Sequence, residues 1–294
     1  MEIDVDFQSD LIRWCTKQLM AGGYHCKVDP KTPDLPVLQY FNVLHKHIPA
    51  KPRRVKRSPQ FRCPTENRPG LARFLRKVRR GDRLMAHASS LIKRADFGDL
   101  MLNDWGIHHF HLGIAVQNDG FVERTDNLLF ALVTEGALHC IDILPHADGA
   151  GLPNFAEQRL VEIVHVNWPE LLAHAIPPGT QGFAMMKETL AGLRKAGLLT
   201  LTVMSDGTTY LPPGGGFVKS THSMRARRRA NRLLTAVHSA EQELRTKLDH
   251  VARMAATAGA PLPPKPTFEL MFRNGWICAV EKSALLCVEL MPVS

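Results

Sequence analysis

Between residues 108 and 146 the chain changes its hydrophobic period. HHFHLGIAV, FVERTDNLLFALVTE and ALHCIDILPH are rich in β-branched and aromatic residues and read as three strands. QNDG and EG supply the turns between them. Connections this short do not allow a parallel crossover, so the three segments must form an antiparallel meander. Helical patterns flank it, and the expected class is α+β: an antiparallel three-stranded meander packed on helices, with a C-terminal region of one long helix and a β-hairpin.

The flanking segments supply those helices. DLIRWCTKQLMA at 10–21 spaces Leu11, Trp14, Cys15 and Leu19 for one helix face, and two glycines stop it. Residues 28–70 hold many prolines and read as irregular. PGLARFLRKVRR at 69–80 turns Leu71, Phe74, Leu75 and Val78 inward. A helix over 153–168 is expected, capped by Asn154, with Trp168 packed at its end. A helix at 181–197 leads to a hairpin turning at Asp206-Gly207. The long helix covers 222–256 with a seam of Leu233, Leu234, Val237, Leu244, Leu248 and Val251, and Asn274-Gly275 marks a hairpin beyond it. Gly214–Gly216 follow two prolines, but no Lys-Ser/Thr succeeds them, so they are a loop and not a nucleotide-binding P-loop. The resulting regions are 1–98, basic and partly irregular; 99–175, the sheet with its helix and the expected catalytic core; and 176–294, a second α+β region.

Charge points to the class of partner. Lysine and arginine number 37 against 28 acidic residues, a net charge of +9. From Lys46 to Arg94 there are sixteen basic residues and two acidic ones, Glu66 and Asp82, so the basicity is local. Arg53, Arg54, Lys56, Arg57, Arg73, Arg76, Lys77 and Arg80 are the expected nucleic-acid contacts, because such density suits a phosphate backbone. The six cysteines form no CxxC pair, which fits a reducing compartment and gives no zinc-ribbon signal. The acidic N-terminus does not read as a signal peptide, and no apolar run reaches the ~18 residues of a membrane span. A cytoplasmic protein with no membrane partner is expected.

The stretch NDWGIHHFHLG at 103–113 carries the chemistry. Strand alternation puts His109, His111, Gly113 and Ala115 on one face and Phe110, Leu112, Ile114 and Val116 on the other. The apolar face is expected to pack on a helix, leaving the histidine face open and polar. His108 points to the opposite side, and Trp105 reads as a core anchor. Three readings stay open. A metal-free acid–base site would use His109, His111, Arg124 and His146, because a phosphodiester needs proton transfer and a cation. A metal site would use His109 and His111, completed by Asp142, Asp104 or His146. The third reading is a sheet whose histidines are satisfied in place.

The segment RTDNLLFALVTEGALHCIDILPH is similar to the central sheet of the RelE-like ribonuclease toxins and the wider barnase-like group. An arginine-led strand, LLFA, a turn and a strand ending in histidine carry the resemblance, over about residues 100–168. It implies RNA cleavage without metal or other cofactor, in which the 2′-hydroxyl attacks the adjacent phosphate. It also implies that Arg124 holds the phosphate and His146 moves a proton, as in a toxin or phage-defence ribonuclease acting on RNA, free or on the ribosome. An inhibitory partner protein, or a second copy joined through the long helix, is a further expected partner. Two alternatives to this function remain: a metal-dependent nuclease, and a non-catalytic nucleic-acid-binding regulator. The latter rests on GLRKAGLLTLTVMSDGTTYLPPGG, which resembles the second half of a winged helix.

Overall fold

A computed structural model describes residues 2–146, 158–179, 182–183, 185–218, 220–284 and 286–293. The helices are α1 (Phe7–Ala21), α2 (Leu35–Lys46), α3 (Arg68–Arg80), α4 (Leu100–Trp105), α5 (Arg159–Asn167), α6 (Lys187–Lys195) and α7 (Met224–Thr257). The strands are β1 (Asp4–Val5), β2 (Arg54–Arg57), β3 (Ile107–His111), β4 (Asn127–Val133), β5 (Ala137–Pro145), β6 (Thr202–Val203), β7 (Thr209–Tyr210), β8 (Thr267–Arg273), β9 (Trp276–Glu281) and β10 (Leu286–Pro292). The fold is mixed α+β. It divides into two compact units, 1–41 with 226–294 and 42–225, where three consecutive regions were read from the sequence. The first unit joins both ends of the chain, because β1 pairs with β8 across the whole sequence.

In the first unit the sheet order is β1-β8-β9-β10. Phe7, Leu11 and Cys15 of α1 are buried with Val237, Leu244, Leu248 and Val251 of α7 and with Phe268, Ile277 and Ala279 of the sheet. The α7 seam therefore lies inside this core, with Leu233 and Leu234 packed at its margin. Asp6 caps α1, its carboxylate accepting from Ser9 N at 2.9 Å. Asn274 and Gly275 both have positive φ, 49° and 80°, as the turn between β8 and β9 requires.

In the second unit the sheet order is β2-β5-β4-β3. The expected meander is present as β3-β4-β5, and β2 adds a parallel edge strand that the sequence reading did not foresee. Its segment lies within residues 28–70, expected to be irregular, as does α2. Pro36 sits in the first turn of α2, where a missing N–H costs nothing, so this proline does not exclude the helix.

Two cores cover the two faces of this sheet. Leu71, Phe74, Leu75 and Val78 of α3 pack with Phe110, Leu112, Leu129 and Leu138. On the other face Ile107, Leu128, Phe130 and Ile141 meet Leu160, Val161 and Val164 of α5, with Trp105 and Trp168 buried among them. Gly70 permits the α3 contact, since a Cβ there would lie 1.7 Å from Leu112 O. The first strand was expected to run through Val116. It ends at His111 because Gly113 closes onto Glu123, and Val116 pairs instead with Val122 in a separate short return. The expected Asn154 cap lies outside the described residues.

Candidate functional site

β3 is an edge strand, and the segment 121–126 folds back beside its end. Two hydrogen bonds set that return. Thr125 N donates to His111 Nδ1 at 3.2 Å, and His146 N donates to Asp126 O at 2.7 Å. Arg124 is thereby placed next to the residue that holds His111, while His146 is pinned two residues further on. His109, His111, Arg124 and His146 are thus one electrostatic cluster. Burial holds the His111 pKa down to about 4, helped by the charges of Arg124, His109 and His146. The His146 pKa is lowered by partial burial and by Arg124 and His109.

The four residues differ in what they are free to do. His111 is 3% exposed, so the histidine face is not open there as expected. Its Nδ1 accepts a backbone N–H, which puts the ring proton on Nε2. His109 is partly exposed, and its Nδ1 lies 3.5 Å from Asp99 Oδ2. Asp99 is itself fixed, because its Oδ1 caps α4 by accepting from Leu102 N at 3.1 Å. Arg124 and His146 are exposed.

A second chain of contacts lies behind β3. His87 is fully buried, and its Nδ1 donates to His111 O at 2.8 Å. Lys77 Nζ lies 3.4 Å from His87 Nε2. Burial pushes the His87 pKa down to about 4, against the hydrogen bond to His111, so the ring is neutral and accepts from the lysine. Asp99, His87 and Thr125 were not foreseen as site residues. Asp99 precedes the apolar run LMLNDW and carries a helix-cap signal; the other two have none, since their partners lie 24 and 14 residues away.

Several expected contacts are spent elsewhere. Arg53 is buried at 7% exposure, with Nε donating to Thr134 O and Nη1 to Pro49 O and Lys51 O, so it is not part of the exposed basic flank. Lys77 is turned to His87, and Arg73 donates to Ile114 O. Arg54, Lys56 and Arg57 on β2, and Arg76 and Arg80 on α3, are exposed. β2 follows α3 closely, for Arg53 N donates to Val78 O at 3.1 Å, so these side chains belong to one basic flank. Asp142, the expected third metal ligand, is buried and engaged: it accepts from Arg159 Nη2 at 2.7 Å and from Arg62 N at 3.0 Å. Asp104 is buried at 1% exposure within α4. Among the described residues no group of three or more His, Cys, Asp and Glu side chains is placed to hold a metal ion. No helix among them is long and apolar enough to cross a membrane.

The hairpin expected to serve as a wing, β6–β7, is tied to α5. Tyr210 Oη lies 2.8 Å from His165 Nδ1, His165 Nε2 lies 3.0 Å from Asp206 Oδ2, and Ser205 N donates to Glu162 at 2.7 Å. Its turn is held against its own chain. No protein-family model, curated protein or solved structure matches this sequence.

Proposed function

We propose that the second unit is a metal-independent ribonuclease, of the toxin or phage-defence kind, acting at the end of its sheet. One observation carries the reading: His109, Arg124 and His146 share a cluster in which Asp99 faces one nitrogen of His109 and leaves Nε2 to work. A carboxylate on Nδ1 fixes the tautomer and stabilises the imidazolium that forms when Nε2 takes a proton. In the proposed reaction Nε2 of His109 removes the proton of the RNA 2′-hydroxyl, and that oxygen attacks the adjacent phosphorus. A 2′,3′-cyclic phosphate forms, the bond to the 5′-oxygen breaks, and the protonated fraction of His146 supplies the proton to that leaving oxygen. Arg124 balances charge on the phosphoryl oxygens. His111 is a positioning residue, held neutral between Thr125 and His87, and the exposed cations of β2 and α3 hold the strand.

The test is cleavage of labelled RNA by the purified chain, with and without chelator. Cleavage that survives chelator and leaves cyclic phosphate ends is expected, and His109→Ala is expected to slow it by about 10²–10⁴-fold with RNA affinity kept. Asp99→Asn should lower turnover and shift its pH profile. RNA binding with no cleavage would leave a non-catalytic binding protein, and cleavage abolished by chelator would replace this mechanism with a metal-dependent one.

A further inference from the structure

Within the second unit a cleft of about 620 Å³ opens beside β3, separate from the 121–126 return. Its cations and imidazoles are His45, His47, Lys51, Arg53, His108 and Arg225. Glu135 is the one acid among its lining residues, and Lys51 neutralises it at 2.8 Å. Arg53 is the deepest cation. It is fixed by three backbone carbonyls through Nε and Nη1, while its Nη2 has no hydrogen-bond acceptor among the described residues. An arginine whose residue is 93% buried, with one guanidinium nitrogen left over at the wall of a cleft, is a preorganised half of an anion site. Ile48 and Val133 give the same cleft an apolar wall, and at Gly106 and Gly214 no side chain stands between an occupant and the backbone.

We propose that this cleft binds a nucleotide through its phosphate, with Arg53 and Lys51 on the phosphate and the apolar wall against the nucleoside. The volume suits it, because small-molecule sites run from roughly 300 to 1,000 Å³. Inorganic phosphate alone would leave most of the cleft unfilled. His108 is held neutral, its pKa lowered to about 4 mainly by burial, so it contributes a hydrogen bond rather than charge. The nucleotide is either free in solution or the phosphorylated end of an oligonucleotide; both present the same group. The proposal does not depend on RNA cleavage: nucleotide binding by a chain that cuts nothing would sustain it and sink the ribonuclease reading.

Calorimetry at low salt with AMP, adenosine, inorganic phosphate and a short RNA with or without a 5′-phosphate tests it. Saturable binding of AMP or of the 5′-phosphorylated RNA is expected, with adenosine and the 5′-hydroxyl RNA weaker by about tenfold or more. The tighter of the two phosphorylated ligands identifies the source. Arg53→Gln should weaken binding by about tenfold or more. Because that variant also loses bonds that hold the fold, His108→Ala and Glu135→Gln accompany it. His108→Ala should weaken binding, whereas Glu135→Gln, at an exposed position, should tighten it by about two- to fivefold, a gain that misfolding does not imitate. Adenosine binding as well as AMP, no saturation by either phosphorylated ligand, or indifference to both His108→Ala and Glu135→Gln in folded protein would overturn the proposal.

Discussion

The two four-stranded sheets of this chain share a plan and differ in their cover. Each is an antiparallel three-stranded run with a short parallel strand added at one edge, β1 on β8 and β2 on β5. In the first unit β8 alternates, with Phe268 buried and Thr267, Glu269 and Met271 exposed. In the second, β5 is buried from Ala137 to Ile143, because α3 and α5 cover opposite faces. A sheet with one wet face places its polar residues in water. A sheet covered on both faces must find partners for them inside, and His87, His111 and Asp142 each have one. The buried, hydrogen-bonded imidazoles therefore collect around the second sheet.

The largest expected effect breaks the comparison at its cores. Phe130, 1% exposed, should cost about 3–5 kcal/mol on replacement by alanine, through lost burial and the cavity left behind. Met271, at 43% exposure on the first sheet, should cost within about 0.5 kcal/mol. Denaturant melts of Phe130→Ala and Met271→Ala check both values, and equal losses would mean that the two sheets are covered alike.

Acid should separate the units next. His87 and His111 have folded pKa values near 4, below the usual 6.5, so the unfolded chain binds more protons between those values. Their contribution is complete above pH 6.5 and is lost as pH falls towards 4, by roughly 3 kcal/mol for each ring that titrates singly. The histidines of the first unit, His25, His238 and His250, are exposed. There the buried carboxylate of Glu281 matters instead. Burial opposes its charge, but hydrogen bonds from Ala284 N and Ser283 outweigh that and hold its pKa below the usual 4.5. Its contribution is present above pH 4.5 and disappears only as pH falls through the lower folded value. Hydrogen exchange at pH 5 should therefore show residues 42–225 losing protection while the first unit keeps it. Simultaneous loss would show that the buried imidazoles do not set the acid limit.

What could be read from sequence follows the same division. The Asn274-Gly275 hairpin, the α7 seam and the buried stripe of α3 rest on local periods and turn chemistry, and each is present. The meander was legible for the same reason. The cover on its second face was not, because α5 reaches the sheet through packing that no local pattern records. His111 likewise looked open and is buried, its ring held by the backbone of Thr125, 14 residues away. His109, His111, Arg124 and His146 lie near enough to feel one another's charge, but the partners that hold the first two, Asp99, Thr125 and His87, come from other segments. Charge density could not show burial either: Arg53 and Lys77 belong to the basic run, yet Arg53 is tied to carbonyls through Nε and Nη1 and Lys77 faces a buried imidazole.

The smallest effect sharpens that last distinction. Lys56 and Arg57 lie exposed on the edge strand of the covered sheet, whereas Lys77 is partly buried against His87. If the exposed pair meets RNA phosphates, each substitution by glutamine removes one released counterion. The slope of log affinity against log salt should then fall by about 0.7 per residue on single-stranded RNA, with stability almost unchanged. Lys77→Gln removes the same formal charge, but it takes away a partner of His87 rather than a phosphate contact. It should leave the salt slope alone and cost about 1 kcal/mol of stability instead. Filter binding across a salt series, with melts of the same variants, reads both quantities. A slope that falls for Lys77→Gln as much as for Lys56→Gln would place Lys77 back among the RNA contacts and would loosen the link from α3 through His87 to the backbone of His111.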